Sequence, residues 1–380
     1  MRQGAFNGSR LEKARLYNGY TIKELAEKIE CSRQTISGYE NGKESNPDFN
    51  IINKLSELLD FPVQFFYEHS LDYKIGSTYF RAQLTTKGRY RKQQVEKMAL
   101  MSAVYSFIGK YINFPKFEPL HFDTAETPEE LAMALRSHWG LGEKPIDNIV
   151  FMAESKGIVV TKFVSESSTI DACSQMVNVG DDCVFLIGYS DNKQSAARIH
   201  FDIAHELGHI LMHEFCEDVD ALTKDEFRER ETEAHAFAAA FLLPKNSFYR
   251  DIVNLPFTIP HYTQLKRKWK TSIAAMARRA HGLGVVSYDE YQNMMRTLQR
   301  RGLRKDEPLD DELTTSSPKL LRSAIQMLLN ENVFTAREFI DEMSYSHNLT
   351  LTPNKIEELL NLPKGTLHFE PLSHKLRLLK

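Results

Sequence analysis

The sequence predicts a mainly α-helical protein with a small β-sheet, arranged in successive regions of a 380-residue chain. Three observations carry this. Residues 8–70 show short helical patterns separated by capping signals. Within 126–310, a few β-branched and aromatic segments lie between longer helical runs. From 318 to 380 amphipathic helical patterns return. Hydrophobic periodicity and turn residues are the basis of each reading.

In the first region four helical patterns run from Leu11 to about Leu59. The second starts at Thr21, an N-cap, with Glu24 completing a capping box. A turn at Glu30-Cys31 leads to Ser32, a second N-cap, and to a helix Arg33–Glu40 stopped by Asn41-Gly42. The fourth runs from Phe49 to Leu59. Two short helices joined by a tight turn, the second polar near its start, describe a helix-turn-helix. Thr21 to Ala26 and Ser32 to Gly42 resemble the phage-repressor-like (XRE) class. That resemblance implies binding of double-stranded operator DNA, with Arg33, Gln34 and Thr35 facing base edges and Lys43 on phosphate. Arginine and glutamine suit guanine and adenine in the major groove. Acids and bases are about equally numerous over residues 1–70, so one copy binds weakly and specificity calls for a homodimer.

Residues 71–125 read as a basic helical linker, with Lys87, Arg89, Arg91, Lys92 and Lys97 either solvated or tracking phosphate. Thr127, Pro128 and Glu130 then open a helix reaching Trp139. Three segments, 157–163, 172–179 and 183–189, read as a small sheet, with a turn at Gly180-Asp181-Asp182. Asp171 to Gln175 is either an internal strand or an edge able to pair with an extended peptide.

A helical run from about Ala196 to Met212 contains His205-Glu206-Leu207-Gly208-His209. Residues four apart on a helix share a face, so His205 and His209 can hold one zinc ion at about 2.0–2.1 Å each. Glu206 then stands beside the open position as the base. At about 100° per residue, Arg198, Asp202, His205 and His209 share a sector, opposite Ile199, Ile203, Leu207 and Ile210. A third ligand is expected from the helix ending at Pro244. Glu233 shares a face with Ala236, Phe237 and Ala240, and small residues there would let two helices approach. Glu229 is the alternative, while Glu231 and His235 point roughly the other way. Arg198 or a later residue such as Arg278 is a candidate oxyanion donor.

Residues 201–213, then Glu233-Ala234-His235-Ala236-Phe237-Ala238 and Leu242-Leu243-Pro244, resemble the ImmA/IrrE metallopeptidases. The resemblance implies an α+β gluzincin-like domain with Zn2+ as cofactor. Its third zinc ligand is the glutamate of E-A-N-x-F-A, matched by Glu233. His235 replaces the asparagine of that motif. The run 268–280, Gly302 and Glu307-Pro308 extend the likeness.

In the last region Leu320 to Leu329, Ala336 to Met343 and Pro353 to Leu360 form amphipathic helical patterns with no assignable chemistry. A formal net charge of −3 confines any nucleic-acid affinity to a local patch. No apolar stretch spans a bilayer, and no signal peptide follows Met1. The four cysteines (Cys31, Cys173, Cys183, Cys216) lack C-x-x-C spacing, which suits reduced thiols in a cytoplasm. The whole reads as a cytoplasmic DNA-binding regulator fused to a zinc endopeptidase that cleaves a repressor, an antitoxin or itself. The alternative is a non-enzymatic regulator whose peptidase fold is a sensor or dimerisation scaffold.

Overall fold

In the computed structural model, residues 5–43, 46–71, 73–82, 88–118, 127–163, 170–191, 195–213 and 222–369 are described. Cys216, Lys87, part of the expected linker and the end of the C-terminal region lie outside them.

Four helices open the chain: α1 (Gly8–Tyr17), α2 (Ile22–Ile29), α3 (Arg33–Glu40) and α4 (Phe49–Leu59). Each starts where a side chain caps its first turn. The Thr21–Glu24 capping box is complete, and Ser32 Oγ accepts from the Thr35 amide. Glu30 closes α2 in the left-handed region at φ 61°, making the tight turn into α3. A 3-10 turn, Val63–Tyr67, ends this module.

Where the sequence suggests a helical linker, the chain first forms a strand, β1 (Tyr73–Ala82), and then α5 (Gly88–Gly109). Tyr73, Ile75, Thr78 and Tyr79 are β-formers, a signal obscured by the basic run that follows. Arg89 of that run donates to Glu24 of α2 at 2.9 Å. The peptidase-like region then adds α6 (Pro128–His138), α7 (Ile149–Ser155), β2 (Val159–Phe163), β3 (Ile170–Val179) and β4 (Asp182–Ser190). The long helices α8 (Ala196–Met212) and α9 (Lys224–Leu242) follow. After them come α10 (Lys245–Ile252), α11 (Ile259–Trp269), α12 (Ile273–Gly282) and α13 (Tyr288–Arg300). Three C-terminal helices, α14 (Leu320–Asn330), α15 (Ala336–His347) and α16 (Pro353–Leu359), match the amphipathic patterns closely.

The strands form one mixed sheet in the order β1-β3-β4-β2. Among the described residues only the β2–β4 pair is parallel. β3 is therefore internal, and the edge role open to Asp171–Gln175 is excluded, because β1 pairs along it from Val179 to Ile170. Gly180, at φ 56°, turns the β3–β4 hairpin.

Side chains alternate across a strand, so one sheet has two cores. Val184 and Leu186 of β4, with Cys173 and Val177 of β3, join a core shared by the N-terminal helices, α5 and α14–α16. Phe185, Ile187 and Tyr189 point the other way and pack with α8, α9, α11 and α12. The sheet thus separates the helix-turn-helix side from the His-Glu-x-x-His side.

The C-terminal helices bind both modules. Arg10 of α1 is fully buried and donates from Nε to the His69 carbonyl at 2.9 Å and from Nη2 to the Asn348 carbonyl. Glu68, 3.6 Å from its Nη1, accepts from the Thr350 amide at 3.1 Å. Glu154 of α7 accepts from the amides of Lys319 and Leu320, both at 3.0 Å. No helix among the described residues is long and apolar enough to cross a membrane.

Candidate metal centre

α8 is buried on nearly all sides, including His205, Glu206 and His209. An imidazole or carboxylate without bulk water needs a partner, and the neighbouring elements supply several. His205 Nε2 and His209 Nε2 face each other at 3.1 Å. Glu231 of α9 completes the triangle, with one carboxylate oxygen 3.5 Å from His205 Nε2 and the other 3.3 Å from His209 Nε2. His205, Glu231 and His235 also bring one ligand atom each within 4.8 Å of one another.

Glu233, the ligand expected from the sequence, lies elsewhere: its Oε2 is 3.1 Å from His213 Nε2. His213 Nδ1 in turn lies 3.0 Å from His209 Nδ1. Glu233 is thus linked to the histidine pair through His213, and Glu231 touches it directly. The register of α9 against α8 is the reason. Gly208 lets α9 come close: a Cβ there would stand 3.3 Å from the Ala234 Cα and 3.1 Å from the Phe237 ring. Ala234, Ala238 and Ala240 are buried, whereas Ala236 is exposed. Residues three and seven apart share a helix face, so Glu231 lies in the stripe of Ala234 and Ala238. On the face expected from the sequence, Phe237 and Ala240 are buried, whereas Ala236 is exposed and Glu233 meets His213.

Glu206 Oε2 accepts from Ser174 Oγ at 2.7 Å, so β3 holds the carboxylate from the sheet side. Tyr79 of β1 stacks on His209, with ring centroids 4.8 Å apart and planes at 10°. Its hydroxyl accepts from Arg230 at 2.9 Å. Neither residue was flagged by the sequence reading. Ser174 was legible only as part of a strand, and Tyr79 lay in a presumed linker.

Charge follows this arrangement. Burial raises the Glu231 carboxyl, but hydrogen bonds with His205 and His209 outweigh it and hold the group well below the usual carboxylate range. Burial, then the nearby His209, pushes His213 down to about 4. His235 Nδ1 lies 2.6 Å from the Glu231 carbonyl, which makes it the donor and leaves Nε2 as the acceptor in the neutral ring.

A zinc ion with tetrahedral ligands at 2.0–2.1 Å separates neighbouring donor atoms by about 3.3 Å. The 3.1 Å between His205 and His209 Nε2 is close to that, the two oxygens of Glu231 stand 3.3 and 3.5 Å from one imidazole each, and the mixed imidazole and carboxylate chemistry suits zinc. Three protein ligands leave a position open, which a closed structural site does not.

A cavity of about 700 Å³ opens alongside, lined by Phe201, Asp202 and His235 among others. Arg198 and Arg278, the candidate oxyanion donors, both line it. Arg198 donates to the Lys305 carbonyl at 2.6 Å.

On the helix-turn-helix, Arg33, Gln34 and Lys43 are exposed, whereas Thr35 is half-buried and its hydroxyl lies 2.9 Å from Ser32 Oγ. Thr35 thereby serves the cap of α3. Cys31, Cys173 and Cys183 remain thiols.

Residues 153–281 match the family described as IrrE N-terminal-like domain, a peptidase family. Residues 11–66 match the helix-turn-helix family. No curated relative matches the chain. The chain thus joins an N-terminal XRE-type helix-turn-helix to an ImmA/IrrE-like metallopeptidase domain.

Proposed function

We propose that this chain is a DNA-binding transcriptional regulator whose second domain is a zinc-dependent endopeptidase, with His205, His209 and Glu231 as the metal ligands and Glu206 as the base. The observation that carries this reading is the triangle of three donor groups beside a buried glutamate that none of them uses as a ligand. Bound zinc would supply Lewis acidity toward a water and a peptide carbonyl. Glu206 takes a proton from the attacking water and delivers it to the departing amine nitrogen as the C–N bond breaks. Ser174 holds Glu206 by donating to one carboxylate oxygen, so the carboxylate is aimed before substrate arrives. Tyr79 packs on His209 and fixes its ring plane. Glu233, through His213, orients the same imidazole from its Nδ1 side.

The substrate class is a protein such as a repressor or an antitoxin, and the test is direct. Full-length protein with one equivalent of zinc is incubated with candidate repressors, and fragments are read by mass spectrometry. Cleavage that stops on chelation and returns with zinc is the expected result. A zinc-loaded, folded chain that cuts none of them would leave the domain as a sensor or scaffold.

The DNA reading rests on exposure of Arg33, Gln34 and Lys43 at and just beyond a capped helix. A homodimer on a two-fold operator would supply the affinity that one near-neutral module lacks. Arg33→Ala should cost about 1–3 kcal/mol at a single operator position. Lys43→Ala should weaken binding to all sequences and flatten its salt dependence. Footprinting on the promoter of its own gene, at two salt concentrations, measures both. Equal loss at every base position for Arg33→Ala would remove it from the reading face.

A further inference from the structure

The cavity beside the metal centre has an unusual wall. Four arginines line it: Arg198, Arg278, Arg279 and Arg304. Arg279 is taken up by Glu129, with two contacts of 2.6 Å. Arg278 and Arg304 are exposed and have no carboxylate partner among the described residues, and Arg304 donates to Met295 Sδ at 3.8 Å. The opposing acids on the wall are Glu129, Asp171 and Asp202, and Asp202 is buried in α8. The floor is small and apolar, with Ala197, Ala236, Ala239, Ala274 and Ala275. At about 700 Å³ the cavity holds side chains of an extended peptide rather than a folded partner. It adjoins the centre through His235, which lines it and whose ligand atom lies within 4.8 Å of those of His205 and Glu231.

We propose that this cavity is a substrate subsite selecting an acidic side chain, Asp or Glu, close to the scissile bond, with Arg278 and Arg304 as its reading residues. The proposal rests on the peptidase reading above and names the substrate class it acts on. An apolar floor accepts the methylenes of a glutamate while two guanidiniums that hold no carboxylate meet its carboxylate. A lysine or arginine at the same position would meet like charge, which is discrimination by repulsion as well as attraction.

The test uses the full chain loaded with zinc and a set of fluorogenic decapeptides differing only in one residue beside the cleavage site: Glu, Gln, Leu or Lys. The expected result is kcat/KM for the Glu peptide about tenfold above the Gln peptide, with Lys lowest. Arg278→Gln combined with Arg304→Gln should bring the Glu-to-Gln ratio close to one. Arg278→Glu should shift preference toward Lys. Equal cutting of Glu and Gln peptides by wild type, or a ratio unmoved by the double variant, overturns the subsite. Failure of the peptidase reading has a different signature, namely no cleavage of any peptide by zinc-loaded wild type. In that case the zinc-loaded Glu206→Gln chain is titrated with the same peptides by anisotropy. Tighter binding of the Glu peptide supports the subsite, and equal binding refutes it.

Discussion

Glu206→Gln keeps the metal and loses cleavage by about 10²–10⁴-fold, the range carried by a positioned general base. The substitution is nearly isosteric. Its amide oxygen can still accept the Ser174 hydroxyl that now reaches Glu206 Oε2 at 2.7 Å, so the fold around β3 and α8 is preserved. What disappears is a carboxylate able to accept a proton from water. Glu206 is fully buried, so no solvent base can take its place without moving the helix. Metal content by mass spectrometry and single-turnover cleavage of a verified substrate are the two measurements. Undiminished cleavage with full zinc would show that another group is the base.

Glu231→Gln lowers zinc affinity by about 10²–10³-fold, taking the roughly 10–16 kcal/mol of a four-ligand site as shared among its ligands. Glu233→Gln lowers it by about 10–100-fold at most, the range for a group that orients a ligand. The contrast follows from contact: Glu231 lies 3.3 and 3.5 Å from the two ligand nitrogens, whereas Glu233 meets only His213. Competition titration against a chromophoric chelator measures both variants on one scale. The reverse ranking would return the third position to Glu233.

That pair of glutamates separates what local spacing makes legible in the sequence from what depends on tertiary packing. A four-residue spacing on one helix needs no tertiary knowledge, so His205 and His209 fall together as the pattern requires. The caps of α2, α3 and α6 are likewise local, and they form as read. The third ligand depends on how α9 rotates against α8, which is set by Gly208 meeting Ala234 and Phe237. A face rich in alanine does not say which alanines are buried. Tyr79 was hidden for the same reason. Its strand gains its identity only by pairing with β3, about a hundred residues later in the chain. Ser174 was visible as a strand residue, but its partner, Glu206, is fixed by sheet-on-helix packing.

The buried Arg10 has a consequence for how the protein is made. One of its acceptors, the Asn348 carbonyl, lies 338 residues downstream. At roughly 5–20 residues per second, a ribosome needs roughly 20–70 s to produce it after Arg10 has been synthesised. Through that interval the nascent first module lacks the Asn348 acceptor and has an apolar flank that α14–α16 will later cover. The module translated first is thus completed last, and a ribosome that stalls before the final helices leaves a DNA-reading module with its core still open.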